Sequence, residues 1–182
     1  MRVTVSPDHV KEAFKAIADD PSFSESRSLV DKGEMPLEMI QAMALRPEIL
    51  ASFASSSGSV YPGGLLERPL KELVILQASR QNSCQFCANT HIAFMRDLGI
   101  AADPIAHLDN PDGQSQRERL AVAYTKAAMQ DSNRVPDSLF AELKDHFTDP
   151  EIVELTFLIG FINLLNLFNN CLQVTYNDEF SR

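Results

Sequence analysis

The chain of 182 residues contains no tryptophan and has no long uninterrupted hydrophobic run. Its most apolar stretch, residues 156–168, is thirteen residues long, and two asparagines interrupt it. A membrane-spanning helix needs about 20 apolar residues. We therefore expect no membrane span and interpret this stretch as a buried helix.

Positive charge is also scarce. The chain has 16 lysines and arginines against 25 aspartates and glutamates, which gives a formal net charge of −9, and it has no basic cluster. A surface with this balance repels a phosphate backbone. The composition therefore argues against nucleic acid as a partner.

Cysteine is rare, with three residues. An odd count fits poorly with a disulfide framework, and a chain this long buries a sufficient core without one. The first 20 residues mix charge with apolar residues and lack the apolar segment of a secretory signal. We expect a cytoplasmic protein, where a Cys-x-x-Cys motif is catalytic or metal-binding.

Clean alternation with a period of two is scarce, and nearly every segment repeats its apolar residues with helical period. The sequence predicts an all-α fold in one domain, residues 1–182, with an N-terminal helix and arm in 1–34 and a core in 35–182. Serine-rich residues 21–34 predict a loop or arm, and residues 55–64 predict a second loop.

Glu72, Cys84, Cys87 and His91 form the most informative pattern in the chain. Glu72 falls on a helix predicted to start at Pro69. Residues 81–83 interrupt that helix, and Ser83 is a candidate cap for the next one. There Cys84, Cys87 and His91 follow at i, i+3 and i+7, which places them on one face.

These residue types suit thiol redox chemistry. The thiolate is the attacking species, and an ordinary cysteine is mostly protonated at neutral pH. His91, one turn from Cys87, can take the thiol proton, and Glu72 can hold the far ring nitrogen, as the third member of a catalytic triad does. Cys84 lies near the helix start, which also favours a thiolate. A sulfenic acid on one cysteine would condense with the other to a disulfide.

A shift of 82 residues maps this pattern onto Glu154, Asn166, Asn169 and Gln173. We interpret the match as a possible second copy of a helix-turn-helix unit, in which neutral amides replace the reactive groups. This copy is expected to act as a buried scaffold. Cys171, which has no counterpart in the pattern, is expected to be buried.

The spacing of the four residues resembles the signature of AhpD-like alkylhydroperoxidases in the carboxymuconolactone decarboxylase family. Further resemblance lies in residues 46–50 with Phe53, in residues 117–119, in the predicted helix at 135–147, and in residues 149–153, so that it covers roughly 35–176. The resemblance implies a multihelical AhpD-like fold that assembles into homotrimers or homohexamers.

The resemblance also implies an activity. It is the reduction of hydrogen peroxide or organic hydroperoxides, with Cys87 as the attacking thiol, Cys84 as the resolving thiol, and an external dithiol, in some members a dihydrolipoyl protein, as the reductant. No bound cofactor or metal is implied. The namesake enzymes have a histidine immediately before the second cysteine, where this chain has Phe86. A proton relay through that position is therefore absent.

Other functions compete with this interpretation. Two thiolates and an imidazole, with His107, His146 or Glu72 as a fourth ligand, could hold zinc. A thioredoxin-type oxidoreductase would place the Cys-x-x-Cys motif after a strand, and the sequence lacks that pattern. The alternative from another class is a non-catalytic or metal-binding helical oligomer on the same scaffold.

Overall fold

The computed structural model describes residues 1–17 and 23–176. This part of the chain contains α-helices and short 3-10 turns and no β-strand, which confirms the predicted all-α class. Its α-helices are Pro7–Ala16 (α1), Ser24–Asp31 (α2), Glu38–Ala44 (α3), Pro47–Val60 (α4), Arg68–Gln81 (α5), Gln85–Asp97 (α6), Pro104–Asp109 (α7), Gln116–Gln130 (α8), Asp137–His146 (α9) and Asp149–Leu172 (α10).

The chain divides into two compact units, with the boundary at Gly63 and Gly64. The first unit comprises Met1–Gly63 with Cys171–Thr175, and the second comprises Gly64–Asn170 with the segment from Tyr176. All four residues of the predicted site fall in the second unit.

The first unit departs from the predicted loops. The pattern Ser6-Pro7-Asp8 predicts the start of a helix that runs to about Ala18. α1 begins as expected, since the Ser6 side chain accepts a hydrogen bond from the backbone N–H of His9 and Pro7 occupies the first turn. The predicted end at Ala18 lies outside the described residues. The predicted arm at 21–34 instead contains α2, and the predicted loop at 55–64 is helical as far as Val60. Serine has only a modest helix penalty, so packing decides such segments.

The second unit is built around α5, which packs against α6 and α8. Every residue from Leu70 to Ser79 is buried, so α5 has no solvent face in its middle turns. Its core side chains join residues of α6, α7 and α8 in one cluster, namely Leu73, Leu76, Met95, Leu108 and Val122. Because α5 is buried, its polar side chains Lys71 and Glu72 point into the protein rather than to solvent.

α10 is one uninterrupted helix of 24 residues. The predicted turn of a second helix-turn-helix copy is therefore wrong, because residues 163–165, which correspond to the break at 81–83, remain helical. The expectation that the apolar stretch is too short to span a membrane also fails. The complete helix is the one helix of the described residues that is long and apolar enough to cross a membrane. Asn166 and Asn169, however, are buried against protein groups, as a helix packed within a protein requires.

A buried ion pair anchors the entry to α5. The Lys71 ammonium lies 2.7 Å from Glu154 of α10, and the two side chains are 0% and 8% exposed. The Glu154 carboxylate also accepts the backbone N–H groups of Leu65, at 2.5 Å, and Leu66, at 3.1 Å. Gly64 is required beside it, because its φ is +101° and a Cβ there would lie 2.8 Å from the Lys71 nitrogen. The expectation that Glu154 is buried scaffold agrees with this position.

Candidate active site

The turn between α5 and α6 places the first cysteine at the start of a helix. Cys84, rather than the predicted Ser83, is the N-cap of α6. Ser83 has a φ of +54°, in the left-handed region that serine rarely adopts. Its N–H and that of Cys84 donate to the carbonyls of Arg80 (3.0 Å) and Ser79 (2.8 Å) at the end of α5. These two hydrogen bonds stabilise the turn between α5 and α6, and Cys84 lies at the end of that turn.

Cys84 and Cys87 are free thiols in contact with each other, and both are buried, at 1% and 4% exposure. A hydrogen bond from the Cys87 thiol is the main cause that lowers the pKa of Cys84 to about 7, and backbone N–H groups of Cys87 and Phe86 and the Asn166 side chain act in the same direction. The same bond, together with burial, raises the pKa of Cys87. Of the two thiols, Cys84 is therefore the more acidic.

Glu72 is fully buried and bridges His91 and Arg68. Its Oε2 lies 2.6 Å from Nδ1 of His91, and its Oε1 accepts a hydrogen bond from Nε of Arg68, one turn earlier on α5. Burial alone would raise the pKa of Glu72, but His91 and Arg68 outweigh it and lower the pKa below its ordinary value. A carboxylate only accepts hydrogen bonds, so Nδ1 of His91 carries a hydrogen, and Nε2 is the nitrogen that can take up a proton.

The Glu72–His91 contact is the arrangement predicted from the spacing. Cys87 and His91 lie on α6, separated by one helical turn, whereas Cys84 caps that helix and Glu72 lies on α5. The four predicted residues thus occupy one helix pair, α5 and α6. Their catalytic roles remain predictions.

Two asparagines of α10 contact the cysteine pair, and the sequence interpretation assigned them only a scaffold role. Asn169 donates from Nδ2 to the Cys87 sulfur at 3.2 Å. Asn166 donates to the Ser79 hydroxyl at 3.1 Å, and hydrogen bonds from its side chain lower the pKa of both cysteines. The 82-residue shift had identified both positions, but only the structure brings α10 against α6. Arg68 could have been found from its i, i+4 spacing to Glu72.

An amide network joins the end of α5 to α10. The Asn82 side chain donates to the side-chain oxygens of Asn163, at 2.8 Å, and Asn166, at 3.1 Å, and its carbonyl accepts from Asn170 at 2.9 Å. Hydrogen bonds between amides are directional, so this network fixes the register of α10 along the turn that carries Cys84.

The zinc alternative lacks a ligand set. In residues 1–17 and 23–176, no three His, Cys, Asp or Glu side chains converge as metal ligands. His107 lies at a different place, 3.9 Å from Glu118. The expectation for Cys171 was wrong, because this thiol is exposed.

Comparison with known proteins agrees with the all-helical fold. Residues 47–127, which contain all four predicted site residues, match the model of the carboxymuconolactone decarboxylase family. Over these residues the chain is similar to this family, and its fold is the AhpD-like one. Among sequence relatives, the uncharacterised protein YdfG of Bacillus subtilis is 29% identical over 105 residues, which cover 56% of this chain and 71% of YdfG.

Solved structures show the same fold. A protein of unknown function from Agrobacterium tumefaciens, described as an AhpD antioxidant-defence protein, is 26% identical, with a TM-score of 0.67 over 75% of this chain and 95% of that chain. A peroxidase-related protein with an AhpD core from Ralstonia eutropha is 20% identical, with a TM-score of 0.75 over 98% and 93%. The debrominase Bmp8 is 16% identical, with a TM-score of 0.72 over 90% of each chain. The last two likenesses concern the fold alone.

Proposed function

We propose that the protein is a thiol-dependent peroxidase that reduces hydrogen peroxide or organic hydroperoxides through the Cys84–Cys87 pair, with His91 and Glu72 as the base and its positioning group. One observation carries the proposal. An acidic thiol is hydrogen-bonded to a second thiol, and a buried carboxylate holds an imidazole one turn further along the same helix. These are the parts that a dithiol needs to become oxidised and then closed to a disulfide.

The overall reaction consumes one peroxide and both thiols. Its products are the Cys84–Cys87 disulfide, one water molecule, and the alcohol of the hydroperoxide. With hydrogen peroxide, a second water molecule takes the place of the alcohol. An external dithiol then returns two electrons and two protons by thiol–disulfide exchange. A dihydrolipoyl protein is the reductant that the family resemblance suggests, and no bound cofactor or metal is needed for this cycle.

Burial sets a requirement on substrate size. Cys84 and Cys87 are almost inaccessible in the resting structure, and Phe86 between them is also buried, at 5% exposure, with its ring 6.4 Å from that of Tyr176. A peroxide therefore reaches the sulfurs only when nearby side chains move. Small peroxides need the least movement, so we expect hydrogen peroxide to react faster than bulky hydroperoxides.

The partner in the proposed assembly is a second copy of this chain. α10 exposes an apolar stripe on one helical face, and such a face is stable when it is covered. Its exposed side chains are Val153, Phe157, Leu164 and Leu167. We propose that this stripe contributes to a homotrimer or homohexamer in the cytoplasm.

Peroxide consumption by the reduced protein tests the proposal. With a dithiol present, turnover should be lost in Cys84→Ser and in Cys87→Ser, whereas Cys171→Ser should retain it because that thiol is exposed and lies outside the pair. If all three variants behave alike, the peroxidase proposal is wrong. Unreactive thiols together with stoichiometric metal in the purified protein would favour the alternative, a non-catalytic or metal-binding helical oligomer.

A further inference from the structure

We infer that Arg68 is a positioning residue of the proposed site: its guanidinium balances the charge of the buried Glu72 carboxylate, which leaves the His91 imidazole neutral and ready to accept a proton. The inference rests on the proposed function, because it explains how the base of that reaction stays available. It adds a third group to the pair of Glu72 and His91 that the sequence predicts.

The Glu72 carboxylate divides its two oxygens between two helices. On α5, Nε of Arg68 donates a hydrogen bond to Oε1 from one turn earlier, and on α6, Nδ1 of His91 lies 2.6 Å from Oε2. Rotation of the carboxylate would break both contacts. Arg68 therefore fixes the direction in which Oε2 faces the imidazole, and the imidazole keeps Nε2 as the nitrogen that accepts a proton.

Burial makes the charge balance of this cluster important. The Glu72 side chain is 0% exposed and the His91 side chain 11%, whereas the Arg68 side chain is 29% exposed. A buried ionised carboxylate is stable only with a cation as its partner. Arginine is not deprotonated in proteins, so Arg68 supplies this charge permanently. Although burial acts in the opposite direction, His91 and Arg68 bring the pKa of Glu72 below its ordinary value, which agrees with an ionised carboxylate.

A count of charges shows what Arg68 changes. With Arg68 present, the guanidinium and the carboxylate cancel, and a neutral imidazole brings the sum to zero. Without Arg68, a sum of zero requires one proton on the pair of Glu72 and His91. Because imidazole is the stronger base of the two, this proton resides on His91. The ring then cannot accept another proton, and the base is lost.

The neutral imidazole has a defined task in the proposed reaction. As a thiol of the pair attacks the terminal oxygen of the hydroperoxide, its proton passes to Nε2 of His91, the residue one turn after Cys87. A bond forms between sulfur and oxygen, and the O–O bond breaks. The alkoxide that leaves takes the proton back from the imidazolium and departs as an alcohol, and the sulfur is left as a sulfenic acid. Glu72 stabilises the imidazolium in between.

The burial of Glu72 distinguishes this contact from an ordinary ion pair within a helix. Arginine and glutamate four residues apart commonly pair on an exposed helix face, where both charged ends stay in water and the pair contributes little. Here the carboxylate is withdrawn from solvent, and its second oxygen holds an imidazole. The charge of Arg68 therefore acts on His91 through Glu72.

The protonation state of His91 tests the inference directly. NMR of isotopically labelled histidine side chains reports it at pH 7, and His91→Gln assigns the signal. We expect a neutral ring with its hydrogen on Nδ1 in the wild type and in Arg68→Lys, which keeps the charge. We expect an imidazolium in Arg68→Met, which keeps the apolar part of the side chain and removes the charge.

Single-turnover disulfide formation with hydrogen peroxide is the second readout. Arg68→Met should be slower at pH 7 by about tenfold or more, a part of the about 10²- to 10⁴-fold that a general base contributes, and Arg68→Lys should recover most of the rate. Arg68→Gln keeps a donor without the charge and should behave as Arg68→Met, so it replaces that variant if methionine prevents folding. Arg134→Met, which removes an arginine from an exposed pair with Asp131 at 3.4 Å, is the control and should match the wild type in both readouts.

The outcomes separate this inference from the proposed function. A neutral His91 ring in a folded Arg68→Met or Arg68→Gln protein would overturn the inference and leave the peroxidase proposal intact. A rate equal to that of the wild type in these variants would overturn it as well. A wild type whose thiols do not react with peroxide would instead refute the proposed function, and with it the role of Arg68, even where the NMR result is as expected.

Discussion

Replacing Glu72 by glutamine tests the carboxylate–imidazole pair most severely. The substitution keeps the size of the side chain and removes its charge. The carboxylate that lies 2.6 Å from Nδ1 of His91, and that stabilises the imidazolium, becomes a neutral amide, and Arg68 loses its ionic partner. Loss of a general base or of the acid that orients it costs about 10²- to 10⁴-fold in rate. We expect a decrease in this range for peroxide-driven disulfide formation in a single turnover, measured by quenched-flow alkylation.

The same substitution lowers stability. Removing one member of a buried ion pair costs about 3–5 kcal/mol. We expect the lower end, about 3 kcal/mol, since the Arg68 side chain is 29% exposed and solvent can stabilise its charge. The ordinary pKa of glutamate in the unfolded chain is 4.5, and contacts with His91 and Arg68, which outweigh burial, lower the folded value. The stabilisation by Glu72 is therefore complete above about pH 4.5 and lost as the pH falls through the folded pKa.

Denaturant unfolding at pH 7 and at pH 4 measures both effects. The difference in unfolding free energy between the wild type and Glu72→Gln should be largest at pH 7 and smaller at pH 4. Glu142→Gln, at an exposed position of α9, is the control and should match the wild type in rate and stability. A folded Glu72→Gln protein that forms the disulfide within about twofold of the wild-type rate would refute the role of Glu72.

Three further outcomes are expected. In a Cys171→Ser background, iodoacetamide labelling of Cys84 should rise about tenfold between pH 6 and pH 8, as a pKa of about 7 requires; a rise near 100-fold would indicate an ordinary thiol. Lys71→Met should lower the free energy of unfolding by about 3–5 kcal/mol, because the buried Glu154 carboxylate loses its cation, and thermal unfolding that matches the wild type would contradict this. Leu167→Lys should shift the protein to smaller species in sedimentation velocity, and a monomeric wild type would contradict the proposed interface.

The sequence was sufficient for those parts of the fold that depend on local signals. The spacing of Ser115 and Glu118 in the sequence predicts the capping box that opens α8. Gly99, a residue type typical of helix C-termini, has a φ of +67° just after the end of α6. The contact of Glu72 with His91 was also predictable, because both residues are fixed by helical spacing on two consecutive helices. Local periodicity and capping determine such features.

Features that depend on tertiary packing could not be predicted in this way. The break after Gln81 and the continuous path of α10 look alike in sequence, since both contain polar residues between apolar runs. The contacts of Asn166 and Asn169 with the cysteines depend on how α10 meets α6, which no local pattern encodes. Only the structure shows that Asn166 lowers the pKa of both cysteines and that Asn169 lowers the pKa of Cys87.

The most direct measurement is a count of free thiols before and after one equivalent of hydrogen peroxide, combined with peptide mapping. The reduced protein has three free cysteines. We expect one to remain, Cys171, with Cys84 and Cys87 joined in an intramolecular disulfide that a dithiol reverses. Three thiols after peroxide, or a disulfide that includes Cys171, would contradict the thiol peroxidase proposal.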